Sequence, residues 1–68
     1  MEAIYQALAA QYERVLFMRP DNAIMLIIGT TEFKINVARD GFSVSQSVDS
    51  DWYKMPFKTA EDVIKYFN

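Results

Sequence analysis

Twice between Ala23 and Val48 a β-prone run is interrupted by a two-residue hairpin signal, first Gly29-Thr30 and then Asp40-Gly41. Such dipeptides supply the positive φ that tight hairpins need, so they tie three strands into an antiparallel meander and set which residues face one another. The first turn pairs Ile28 with Thr31, Leu26 with Phe33 and Ile24 with Ile35. The second, taken as a loop of Asp40 and Gly41, pairs Arg39 with Phe42, Val37 with Val44 and Ile35 with Gln46, and sets Phe33 opposite Val48. One face then collects Ile24, Leu26, Ile28, Phe33, Ile35, Val37, Phe42, Val44 and Val48, and the other receives Glu32, Lys34, Asn36, Ser43, Ser45 and Ser47. Side chains alternate with period two, so turns placed independently and agreeing on one apolar face support the register.

The flanks are helical. Glu2 to Glu13 is rich in helix formers, places Ile4, Ala7, Leu8 and Tyr12 at helical spacing, and puts Glu2 at the positive end of the dipole. Val15-Leu16-Phe17-Met18 is β-prone and runs into Pro20-Asp21-Asn22, which reads as a three-residue hairpin loop. The alternative is that the first helix continues to about Met18 and Pro20 ends it; a short strand is favoured. Asp49 to Phe57 reads as a long connection rich in aromatics. Beyond it Thr59 is a good N-cap with Asp62 three residues on, and Ala60, Val63, Ile64 and Phe67 form an apolar helical stripe. The expectation is a single two-layer α+β domain over 1–68, a meander of three to four strands between N- and C-terminal helices.

Composition excludes much chemistry. The 68 residues contain no Cys and no His, so thiolate nucleophiles, Cys/His zinc sites and imidazole bases are unavailable. Ser43, Ser45 and Ser47 have nothing at triad geometry to activate them. Asp49-Ser50-Asp51 resembles the start of a calcium loop, but Tyr53, Lys54 and Ala60 stand where a third ligand, the Gly and the final Glu belong. A non-enzymatic protein without metal or cofactor is therefore expected. Seven basic and nine acidic residues, interspersed for a net charge of −2, argue against nonspecific nucleic-acid binding. The longest apolar run, Ala23 to Ile28, is far shorter than the roughly 20 residues of a membrane span. The first residues lack a basic n-region and apolar h-region, so a cytoplasmic protein is expected.

What remains is a surface. If Leu26 points to the core, Met25 and Ile27 must point away from it, and so must alternate members of Val15 to Met18. Apolar side chains on a face that otherwise carries Glu32, Lys34 and serines mark an interface or a covered patch. The cover could be the aromatic segment Trp52 to Phe57, one helix on each face, or a second chain. Trp52 and Tyr53 are adjacent in an extended segment and face opposite ways, so at most one is easily buried and one is left for a partner. The expected partner-binding set is Phe17, Met25, Ile27, Trp52 and Tyr53. The expected role is a small regulatory or inhibitory adaptor that forms a homodimer through its first two strands or docks a protein there, in the manner of bacterial and phage accessory proteins. The alternative is a nucleic-acid or small-ligand binder using the same face with Lys34 and Arg39.

Overall fold

Gly29 sets the first hairpin as expected. In the computed structural model, which describes all 68 residues, Gly29 has φ +62 and Ile28 pairs with Thr31 across it. Positive φ at the first of two loop residues is what a type II′ turn requires, and its twist matches that of the strands. Leu26 lies opposite Phe33 and Ile24 opposite Ile35. The elements in chain order are α1 (Glu2–Ala9), β1 (Val15–Met18), β2 (Ala23–Ile28), β3 (Thr31–Ala38), β4 (Gly41–Val48), β5 (Asp51–Phe57) and α2 (Ala60–Phe67). The five strands form one antiparallel sheet in the order β1-β2-β3-β4-β5.

The second hairpin differs from the expected one. Its loop is Arg39-Asp40, so Ala38 pairs with Gly41, Val37 with Phe42, Ile35 with Val44 and Phe33 with Gln46. Gly41 is the first residue of β4, not a turn residue. Its φ is +145, and a Cβ there would lie 2.3 Å from the carbonyl oxygen of Phe57 and 2.8 Å from that of Lys58. The glycine is required by the close passage of β5 rather than by the turn. Moving a loop by one residue changes every pairing partner by two positions, which leaves each side chain on its original face. Alternation alone could not detect the error.

The expected connection after Val48 is a fifth strand. Asp49 and Ser50 both have positive φ, +50 and +72, forming a type I′ turn that returns the chain along β4. Pro56 is tolerated because β5 is an edge strand. In a two-residue hairpin Val48 and Asp51 exchange hydrogen bonds, so odd-numbered residues of β5 bond inward and the nitrogen of Pro56 points out.

β1 is a strand, not the continuation of α1. α1 stops at Ala9 instead of running to Glu13 because its last turn is tied down: the amides of Gln11 and Tyr12 both donate to the Leu8 carbonyl. The Tyr12 hydroxyl and the Gln11 side chain then bond the Phe67 carbonyl and the Asn68 side chain at the end of α2. The β1–β2 loop is a 3₁₀ turn, Arg19–Asp21, closed by Asn22 in the left-handed region, one residue longer than expected. At α2 the expected cap is present, with the Asp62 amide donating to Thr59 Oγ1 at 3.1 Å.

Ile4 and Leu8 of α1, Val63 and Phe67 of α2, and Ile24, Leu26, Phe33, Ile35 and Val44 of the sheet form one buried cluster. Phe33 meets Phe67 edge to face, with ring centroids 5.1 Å apart. Both helices therefore pack on the same face of the sheet. Val37 and Val48, expected in the core, share that face but are exposed. Each helix has eight residues and is about 12 Å long. The eight-residue strands run to about 26 Å. Their ends project past the cover.

Candidate functional site: the open face of the sheet

With both helices on one side and residues 51–57 built into the sheet, neither expected intramolecular cover exists for the other side. The register places residues across this outer face in rows. One row reads Leu16, Met25, Lys34, Ser45, Lys54, and the next reads Met18, Ala23, Asn36, Ser43, Pro56. Ile27 and Glu32 are paired at one end of the face, as are Ser47 and Trp52. The face is divided: β1 and β2 contribute Leu16, Met18, Met25 and Ile27, while β3 to β5 contribute Glu32, Lys34, Asn36, Lys54 and the serines, with Trp52 and Pro56 on the far strand. Ala23 and Ser43 are buried despite their position, because they are short and lie between longer side chains.

Leu16 is 61% exposed and Trp52 51%, the values of side chains without a partner in the chain. Met25 and Ile27 are half-buried among their neighbours. A shallow groove of about 370 Å³ runs along this half of the face, lined by Glu13, Arg14, Val15, Leu16, Met25 and Ile27. A larger groove, about 590 Å³, lies where Gly41 passes β5 and is bounded by Arg39, Asp40, Phe42, Pro56, Phe57 and Lys58. It is bordered by three charged residues, Arg39, Asp40 and Lys58, and by the rings of Phe42 and Phe57, and no serine, threonine or tyrosine hydroxyl lines it. No three acidic side chains come together at metal-ligating distance. No helix is long and apolar enough to cross a membrane.

The five expected contact residues separate. Met25, Ile27 and Trp52 lie on the outer face. Phe17 does not: it turns to the helix side, 5.4 Å from the Tyr5 ring between centroids, with the Arg19 guanidinium 4.5 Å above its ring. All four β1 residues are apolar, so the sequence left their facing undetermined; the packing of Tyr5 decides it and gives the outer position to Leu16. Tyr53 lies opposite Gln46 on the helix side, beyond the helices and 58% exposed. Neighbouring aromatics thus face opposite ways as expected, and neither is buried. Lys34 and Arg39 do not form a patch, because Lys34 is mid-strand and Arg39 is in the loop after Ala38. Lys54 shares the row of Lys34, which reading Asp49 to Phe57 as a loop concealed. Comparison of the chain with protein-family models, curated proteins and solved structures finds no match.

Proposed function

We propose that this chain is a small non-enzymatic protein-interaction module, a regulatory or inhibitory adaptor that acts as a homodimer or by docking a partner protein on the outer face of its sheet. The observation that carries this reading is the apolar half-face of Leu16, Met18, Met25 and Ile27, which no element of the chain covers. Strands of four to eight residues, about 4.8 Å apart, present roughly 500 Å² of sheet, below the ~800 Å² per partner of a standard interface and in the range of smaller, transient contacts. Apolar residues grouped on one side and bordered on the other by Lys34, Asn36, Lys54 and serines set an apolar patch beside polar hydrogen-bonding groups, both of which such interfaces use.

The test is affinity capture from an extract of the source cells, with wild type and Met25→Glu as paired baits. A protein retained by the wild type and lost from a Met25→Glu variant of unchanged circular dichroism supports the reading, and equal retention overturns it. Salt separates the nucleic-acid alternative: phosphate contacts through Lys34 weaken steeply as salt rises, while an apolar interface changes little.

A further inference from the structure

The edge of the sheet at β1 is unpaired. The Ile27 amide donates to the Arg14 carbonyl. Alternation along the antiparallel ladder then makes Leu16 and Met18 the residues of β1 that bond to β2. By that alternation the N–H and C=O groups of Val15 and Phe17 point away from the sheet, and none of the backbone hydrogen bonds outside the helices and strand ladders uses them. Edge strands are ordinarily protected by charge, proline or a bulge. β5 has Lys54 and Pro56 with outward-facing backbone. β1 is Val-Leu-Phe-Met, with none of these devices.

We propose that β1 pairs antiparallel with β1 of a second copy about a two-fold axis at Leu16, joining two five-stranded sheets into one. The two-fold sets Val15 against Phe17 of the second copy, so the outward groups of both meet in hydrogen-bonded pairs. Leu16 meets its own counterpart at the non-hydrogen-bonded position, where side chains approach most closely. Just beyond the ends of β1 the same axis brings Glu13 toward Arg19 of the second copy, twice; Arg19 bonds Glu2 of its own chain through Nη1 at 3.2 Å and, exposed, keeps further donors for that contact, so opposite charges flank an apolar centre. Self-complementarity of this kind is what a two-fold interface requires, and it identifies the occupant of the edge as another copy of this chain. Both helix layers fall on one side, and the two apolar half-faces join into one stripe centred on the axis. This deepens the docking reading and rests on it only for what the stripe binds.

The first test is mass by light scattering over a concentration series. The wild type is expected to reach twice the 7.9 kDa of one chain. Val15→Pro deletes an N–H that has no partner within the chain, and by symmetry it removes two intermolecular bonds; association weakens on the order of 30-fold. The second test does not depend on how that variant folds. The protein has no cysteine, so Leu16→Cys, at an exposed position, places two thiols across the axis at about 4.5 Å between Cα atoms, within disulfide range. It is expected to cross-link almost completely under mild oxidation, while Lys54→Cys on the opposite edge forms the same non-covalent dimer and stays uncross-linked. A wild type that remains monomeric up to about 1 mM, Val15→Pro association equal to wild type, or equal cross-linking of the two cysteine variants overturns the proposal. A monomer that still captures a protein through Met25 overturns the dimer and spares the docking reading. A dimer whose Met25→Glu variant captures as the wild type does overturns the docking reading and spares the dimer.

Discussion

Replacing Gly41 with alanine tests the least expected part of the fold, the closure of β5 onto β4. An alanine Cβ would stand 2.3 Å from Phe57 O, 2.8 Å from Lys58 O and 2.9 Å from Lys58 Cα, all backbone atoms that no rotamer change can move. At φ +145 a side chain is also strained in its own right, at a cost of about 1 to 3 kcal/mol. Relieving the contact means lifting the end of β5 away, with loss of the hydrogen-bonded pair Phe42–Phe57 at about 1 kcal/mol per bond. The total is about 3 to 5 kcal/mol, against a stability of roughly 3 to 10 kcal/mol for 68 residues. Gly29→Ala is the internal control. It has φ +62 but nothing within 4 Å of the added carbon, so only the left-handed penalty of about 1 to 2 kcal/mol applies. Urea unfolding followed by circular dichroism measures both. A Gly41→Ala loss no larger than that of Gly29→Ala would refute the β4–β5 packing.

Val44→Asp buries an unpaired carboxylate at a position with no solvent exposure and abolishes the folded far-ultraviolet spectrum; a cooperative melt near that of the wild type would contradict the core. Thr59→Ala removes the oxygen that accepts from the Asp62 amide and costs about 1 kcal/mol in urea unfolding, while Thr59→Ser retains most of it. Tyr12→Phe deletes the hydroxyl that joins the end of α1 to the Phe67 carbonyl and costs about 0.5 to 1.5 kcal/mol; an unchanged midpoint would show that this bond holds nothing. Ile27→Glu, on the open face, leaves stability within about 1 kcal/mol of the wild type, and loss of folding would place that side chain in a packed interior.

The parts of the fold legible in the sequence are those where one residue type has one local meaning. Gly29 in a two-residue loop fixed the β2–β3 register, and Thr59 with Asp62 fixed the start of α2. Met25 and Ile27 were placed outside because their neighbours Leu26 and Ile28 had to be inside. Misreadings occurred where a residue served a distant contact. Gly41 resembles a turn glycine but makes room for Phe57 and Lys58, which are remote in sequence. Asp49-Ser50 adopts positive φ without glycine, and Pro56 argues against a strand unless the strand is known to lie at an edge, so β5 read as a loop. Its alternation, Met55 and Phe57 toward the helices against Trp52, Lys54 and Pro56 outward, was nonetheless present. The exchange of Phe17 for Leu16 depended on Tyr5, a contact between elements that no local pattern encodes.

The central claim is that the outer face stands open in the isolated chain and is available to a partner. Trp52 is the one tryptophan, lies on that face at 51% exposure, and is four strands away from the β1 edge, so edge pairing leaves it uncovered. Acrylamide quenching of its fluorescence, in the folded protein and in the chain unfolded by urea, reports on that face alone. The account predicts that acrylamide reaches Trp52 readily in the folded protein, though less than in the unfolded chain, and equally at every dilution. A blue-shifted emission that acrylamide scarcely reaches would show that the face is already covered and would contradict it.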